Sequence, residues 1–214
     1  MTELSREYFA RDKKRYWRFY WILVPILRFL FHPVVHGSEN IPEDGPLIFT
    51  GNHRAWIDPA FLAYGYRKRE MRFMAAIEYY GSILNFFFKA MLTIPVDRSK
   101  KNPESRQIAE RVLEEGGVIG IFPEGKVNKT PTILLPLKYG AVTFAQKSGA
   151  KIIPCAITGR FIPFFSRIHI YYGSPLTVHP EDDLTEKNEL LHQTLLDMYV
   201  EHAWHDSRVV HNEG

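Results

Sequence analysis

The chain has 214 residues, 45% of them hydrophobic, and a single cysteine. That length buries one substantial core, so one domain plus an appendage is expected. One cysteine excludes an intramolecular disulfide and fits a reducing compartment. The net charge of +3 hides an asymmetry: residues 181–214 hold nine acids against Lys187 and Arg208, which leaves that stretch at −7 and residues 1–180 at +10. A basic body implies anionic partners such as lipid head groups, phosphates or a carrier protein. Nucleic acid ranks low, because no zinc-finger, RRM or helix-turn-helix signature accompanies the charge.

At the N-terminus, Arg6, Arg11, Lys13, Lys14, Arg15 and Arg18 precede an uncharged run from Phe19 to Leu27, with Pro25 inside it. The run is about half of the ~20 apolar residues that a spanning helix needs, and no small-residue cleavage site follows it. Tyr16, Trp17, Tyr20 and Trp21 among these cations fit an interfacial helix lying on an anionic leaflet. An amphipathic helix packed on the protein's own core is the alternative.

Residues 34–37 and 47–51 read as short strands joined by a Pro/Gly/Asp turn, with a helix over about 58–69 after them. Met71–Ala76 is a further strand. Glu78–Met91 reads as a helix rich in aromatics (Tyr79, Tyr80, Phe86, Phe87, Phe88), either core or the wall of an apolar groove. Ile94–Val96, Val118–Phe122, Ile152–Thr158 and Ile168–Gly173 complete about seven strands. Helices are expected at 104–115, 135–149 and 186–204, with Ser99–Pro103 a polar loop. In the last helix Leu190, Leu191, Leu195 and Leu196 make one apolar stripe. Alternation of strands with helices argues an α/β fold built on one mixed, largely parallel sheet. The expected divisions are a basic, aromatic membrane-associating segment at 1–32, an α/β domain at 33–205 and a frayed terminus at 206–214.

Chemistry concentrates at residues 50–60, Thr-Gly-Asn-His-Arg-Ala-Trp-Ile-Asp-Pro-Ala. His53 falls where a strand ends and Asp58 where a helix begins, with Pro59 suited to the first helical position. Five positions along a continuous helix would turn the two side chains about 140° apart. A loop can fold them together. A His held by an Asp is the base half of a Ser-His-Asp triad, and no serine is needed if the substrate brings the hydroxyl. From this stretch alone, Asp58 as a helix N-cap and His53 as a hydrogen-bonded strand-end histidine remain open. No His/Cys spacing reads as a metal site, and Cys155 lies between apolar residues.

Asn52-His53 with Asp58 matches the Asn-His-x4-Asp motif of the glycerolipid acyltransferases typified by lysophosphatidate acyltransferase. Ile94-Pro95-Val96-Asp97-Arg98 resembles that family's second motif, Phe122-Pro123-Glu124-Gly125 its third, and Ile152-Ile153-Pro154 with Cys155 its fourth. The lead-in Val35-His36-Gly37-Ser38-Glu39-Asn40-Ile41-Pro42 is similar too, so the likeness runs from about residue 34 to 175. Two departures stand out. Leu92 or Thr93 occupies the place of the second motif's usual Gly, and Lys126-Val127-Asn128-Lys129 follows the third motif where the family has Thr-Arg.

The resemblance implies an O-acyltransferase. In it His53, oriented by Asp58, deprotonates a hydroxyl that attacks the thioester of acyl-CoA or an acyl-carrier-protein. It implies acceptor binding by Asn52, Arg98, Glu124, Gly125 and Lys126, and Lys138 is a candidate second phosphate contact. Glu124 is expected to point outward from its strand end. The best acceptor is lysophosphatidate, giving phosphatidate. Another lysophospholipid, an acylated amino-lipid, a transacylase, or a membrane-surface binding module without turnover are the rivals. The implied companions are the lysophospholipid, the thioester donor and an anionic membrane. No cofactor or metal is expected, and attachment is expected to be peripheral or monotopic on the cytoplasmic face.

Overall fold

Leu47–Gly51 is buried at every position, and the rest of the fold is laid around that strand. The computed structural model describes residues 3–10, 13–78, 85–97 and 103–203. Along them run α1 (Glu3–Phe9), α2 (Lys13–Phe31), β1 (Val34–His36), β2 (Leu47–Gly51), α3 (Asp58–Gly65), β3 (Met71–Ala76), α4 (Asn85–Ala90) and β4 (Ile94–Val96). These are followed by α5 (Pro103–Glu114), β5 (Val118–Ile121), α6 (Gly140–Ser148), β6 (Lys151–Thr158), β7 (His169–Tyr172) and α7 (Leu184–His202).

The described strands form one seven-stranded sheet in the order β1-β7-β6-β2-β5-β3-β4. Every pairing is parallel except β6 with β7, which is antiparallel. The expected mixed, largely parallel α/β sheet is therefore borne out. Side chains alternate between its two faces. Leu47 and Phe49 of β2 face a core shared with α2 and α3. Ile48 faces a second core with α1, α5, α6 and α7. Parallel neighbours bring the C-terminal ends of β2, β5, β3 and β6 to one edge, the usual place for ligands in open α/β sheets.

The N-terminal segment packs on the body through one face. Tyr16, Tyr20, Val24, Leu27 and Phe31 of α2 are buried against the first core. The Tyr20 hydroxyl reaches the carbonyls of Ala63 and Tyr64, each at 3.2 Å. Burial pushes it up to about 12 against the lowering pull of Arg67, so it stays a donor. The opposite face leaves Trp21, Ile22, Ile26 and Phe29 exposed. No helix among the described residues is long and apolar enough to cross a membrane.

Two element boundaries and one buried helix face differ from expectation, each for a local reason. The helix expected to 69 stops at Gly65, because the chain turns to bring Arg69 Nη1 within 2.6 Å of the carbonyls of both Gly45 and Gly116. The helix expected from 135 begins at Gly140. The N–H groups of Leu135 and Lys138 are committed to Glu124 and to the Pro123 carbonyl, and Pro136 has none to give. In α7 the buried positions are Asn188, Leu191, Leu195 and Tyr199, while Leu190 is 48% exposed. The apolar stripe is thus rotated from the all-leucine one, and Asp183 caps its start through the N–H groups of Thr185 and Glu186. Arg98, the Ser99–Asn102 loop, Tyr79, Tyr80 and the 206–214 terminus lie outside the described residues.

Candidate active site

The turn after β2 is drawn together by one carboxylate oxygen. Asp58 Oδ2 stands 2.9 Å from His53 Nδ1, and it accepts the backbone N–H groups of Arg54 at 2.6 Å and Ala55 at 2.8 Å. Asp58 is fully buried. The position ahead of α3 is Ile57, and no side chain caps that helix. Asp58 therefore closes the loop in front of it instead of capping the helix behind it. A buried acceptor of this kind fixes the ring so that Nδ1 carries the proton and Nε2 is the basic nitrogen.

Three further contacts hold His53 in place. Its ring stacks on Phe122 with centroids 4.1 Å apart and planes 19° from parallel. Its own backbone N–H donates to Glu124 Oε1 at 2.8 Å, and its carbonyl accepts from Asn128 N at 2.6 Å. The side chain remains 14% exposed. It opens on a cleft of about 200 Å³ at the sheet edge, walled by Met74–Ala76, Val96, Ile121–Pro123, Gly125 and Lys138.

Glu124 departs from the outward orientation expected of it. It is 4% exposed, and its second oxygen accepts the N–H of Leu135 at 2.9 Å. Burial raises its carboxyl above the usual range, while the N–H groups of Leu135 and His53 pull the other way. Both oxygens are thus spent on backbone donors, and Glu124 positions the histidine turn. Asn52 is likewise turned into the fold. Its amide donates to the Ile157 carbonyl at 3.0 Å and accepts the Ile157 N–H at 2.8 Å, which pins the end of β2 to β6.

Gly125 and Lys138 do meet at the cleft. Gly125 has φ +71, and a Cβ there would stand 2.7 Å from Lys138 Cε and Nζ. The positive φ favours glycine, and a Cβ there would push the tip of the lysine aside. Lys126 is exposed and does not line the cleft. Cys155 is fully buried, and burial pushes its thiol well above its ordinary value.

Three contributors had no role in the sequence reading. Phe122 supplies the surface on which the ring lies. Asn128 holds the turn from the far side, and its Oδ1 accepts from Thr130 N at 3.0 Å. Asn followed two residues later by Thr is an Asx-turn signature, a signal that was present in the sequence. Arg54 donates through Nη1 to the Tyr199 hydroxyl of α7. No local pattern marks that contact across 145 positions.

The chain is similar to a 1-acyl-sn-glycerol-3-phosphate acyltransferase of Bacillus subtilis, at 33% identity over 126 residues, 58% of this chain and 62% of that one. It is 31% identical to one from Borreliella burgdorferi over 169 residues, covering 73% of this chain and 64% of that protein. The matches thus span under two thirds of these relatives' length. The fold is similar to that of the crystal structure of a 1-acyl-sn-glycerophosphate (LPA) acyltransferase from Thermotoga maritima, with a TM-score of 0.67 and 19% identity over 93% of this chain and 87% of that chain. The family model described as Acyltransferase matches residues 32–158. That span runs from the end of α2 through the last strand of the parallel core and includes His53, Asp58 and Glu124, so the chain belongs to the acyltransferase family.

Proposed function

We propose that the chain is an O-acyltransferase that moves a fatty acyl group from a thioester, of CoA or of a carrier protein, to the free hydroxyl of lysophosphatidate. The observation that carries this reading is the His53 Nδ1–Asp58 Oδ2 contact of 2.9 Å beside an open cleft. The names of the curated relatives support the acceptor.

His53 Nε2 takes the proton from the acceptor hydroxyl, whose oxygen attacks the thioester carbonyl. Asp58 stabilises the imidazolium that results. Collapse of the tetrahedral adduct breaks the C–S bond, and the imidazolium returns its proton to the departing thiolate. The products are an ester and a free thiol. A buried thiol with a raised pKa is a poor nucleophile, so transfer is direct, without an acyl group on Cys155. Lys138, as a point charge across the cleft from the histidine, is the acceptor-phosphate contact among the described residues. Arg98 is the second candidate on sequence grounds. Glu124 and Asn52 act through the fold of the turn.

Attachment to the membrane is part of the proposal. Trp21 (55% exposed), Ile22 and Phe29 (68%) lie on the outer face of α2. The Phe29 ring meets that of Phe164, centroids 5.4 Å apart, and Phe165 beyond it is 87% exposed. With Arg18 and Arg28 exposed alongside, this apolar, cation-rimmed surface suits the interface of an anionic leaflet.

The test is thioester consumption by detergent-purified protein across a panel of lysophospholipids, with His53→Ala as control. Turnover with lysophosphatidate that falls by about 10²–10⁴-fold in the variant is the expected result. Full rate in His53→Ala would sink the mechanism. Turnover only with a different lysolipid would replace the acceptor.

A further inference from the structure

The loop between β6 and β7 belongs to two surfaces at once. On one of them it is fastened to α2. The Phe164 N–H donates to the Leu30 carbonyl at 2.7 Å, the Ile168 N–H donates to that of Phe31 at 3.2 Å, and the Phe164 ring meets Phe29. Phe164 has φ +68. That left-handed conformation is an outlier for a bulky residue and persists only where the surroundings impose it. It keeps Phe164 in an exposed apolar ridge with Phe29, Ile162 and Phe165.

On its other surface the loop walls a cleft of about 1040 Å³, where Arg160 and Arg167 stand with Arg54 of the β2 turn. Ile162 and Phe165 of the ridge line this cleft too. Its charge is one-sided. Among the described residues no Asp or Glu lines it. Glu201, 73% exposed, approaches the rim through His202 at 3.9 Å. Arg160 and Arg167 are exposed and stand in no ion pair among the described residues.

We infer that this cleft holds the head group of an anionic phospholipid of the leaflet, as a bound lipid that is not acylated. The inference rests on the proposed membrane attachment and adds to it a defined site and the class of lipid that fills it. Guanidinium groups offer paired donors in a fork that matches phosphate oxygens. The ligand is an amphiphile because the arginine cleft and the apolar ridge share Ile162 and Phe165. The phosphate sits among the arginines while the acyl chains stay in the leaflet along the ridge, as interfacial surfaces of this composition favour. A free phosphate or a nucleotide uses the cations and leaves the exposed rings without a role. His53 lines the other, smaller cleft, so a lipid held here anchors the enzyme without entering the reaction.

The deciding experiment uses the full chain and two probes. The first is dihexanoyl phosphatidylglycerol below its micelle concentration, titrated by calorimetry, so that binding needs no membrane. The second is sedimentation with phosphatidylcholine vesicles, with and without phosphatidylglycerol. R160A/R167A should bind the short-chain lipid at least about tenfold more weakly than wild type, as expected for lost hydrogen bonds to a charged group. It should also lose most of the gain in vesicle binding that phosphatidylglycerol confers, with its circular dichroism melt unchanged. Arg160→Lys with Arg167→Lys keeps the charge without the fork and should recover part of the loss. K68A/K147A removes the same charge elsewhere and should bind as wild type does. An equal loss in K68A/K147A reduces the effect to net charge and overturns the inference. Equal short-chain binding by wild type and R160A/R167A, or none by either, overturns it too. So does displacement of the lipid by an equal concentration of inorganic phosphate, or tighter binding of coenzyme A at the same arginines. A wild type that binds the short-chain lipid through these arginines yet fails to sediment with vesicles would fail the membrane reading alone.

Discussion

The Glu124 carboxylate accepts the backbone N–H of His53 at 2.8 Å, although 71 residues separate the two in sequence. His53 is therefore held by two acids: Asp58 at its ring and Glu124 at its main chain. One oxygen of Glu124 serves the histidine and the other serves Leu135. The carboxylate thus fastens the end of β2 to the loop that runs from β5 to α6.

Exchanging the ring's partner should cost most in rate. Asp58→Asn can keep an oxygen where Oδ2 accepts the His53 ring N–H and the N–H groups of Arg54 and Ala55, but it replaces the anion by a neutral, weaker acceptor. The imidazolium formed when His53 takes the proton then loses its counter-charge. The turnover number is expected to fall by about 10²–10⁴-fold with a much smaller change in KM for either substrate. Steady-state kinetics decide it, and a change confined to KM would refute the orienting role.

Glu124→Gln tests the second acid. Glutamine offers one acceptor where two backbone N–H groups need one each, so an N–H of His53 or Leu135 loses its partner at a cost of about 1–3 kcal/mol. Turnover should fall along with thermal stability. The pH dependence carries a sign. Because burial raises the Glu124 carboxyl above the usual carboxylate range, the folded state binds its proton more tightly than the unfolded one. Its contribution is fullest below the unfolded value and is lost as pH rises through the folded value. The stability advantage of wild type over Glu124→Gln should therefore shrink as pH rises from about 4 toward neutrality. Denaturant titrations at several pH values report it, and an advantage that grows with pH would contradict the burial argument.

The part of this site written within a few residues was legible in the sequence. His53 and Asp58 share a six-residue turn, and the strand–turn–helix pattern around them follows from Leu47-Ile48-Phe49, Pro59 and the apolar run after it. The strands were legible because each is a short apolar run between turns. Contacts set by packing were hidden. Nothing local tells that Asn52 will pair with Ile157, or that Glu124 will turn inward to find His53 and Leu135. The start of α6 was misplaced for the same reason, since its first residues are taken up by the Glu124 turn. Leu190 looked like core by composition, yet the geometry of α7 against the sheet chose Asn188 and Tyr199.

Gly125→Ala should perturb acceptor binding without touching the dyad. The substitution meets two obstacles: φ +71, and a Cβ 2.7 Å from the lysine's Cε and Nζ. The strain at a left-handed position is on the order of 1–2 kcal/mol for a non-glycine residue, and Lys138 must move off the glycine. KM for a phosphate-bearing acceptor is expected to rise several-fold, and Lys138→Ala should produce a comparable rise. If Gly125→Ala and Lys138→Ala leave the acceptor KM unchanged, the lysine is not the phosphate contact.

Charge placed on the outer face of α2 should detach the protein from lipid and leave the fold intact. Trp21 and Phe29 are more than half exposed, while Tyr20, Val24 and Leu27 on the other face hold the helix to the body. Trp21→Glu with Phe29→Glu therefore changes the apolar surface offered to the membrane and spares the core contacts. It also sets two acids against an anionic leaflet, where each nearby basic residue otherwise contributes about 1 kcal/mol of attraction. In sedimentation with phosphatidylserine-containing vesicles, the bound fraction of the double variant should drop sharply, with the circular dichroism melt shifted by no more than a few degrees. The same substitutions on the buried face, such as Tyr20→Glu, should instead collapse the melt. Vesicle binding that survives Trp21→Glu/Phe29→Glu would move the membrane contact to another surface of the protein.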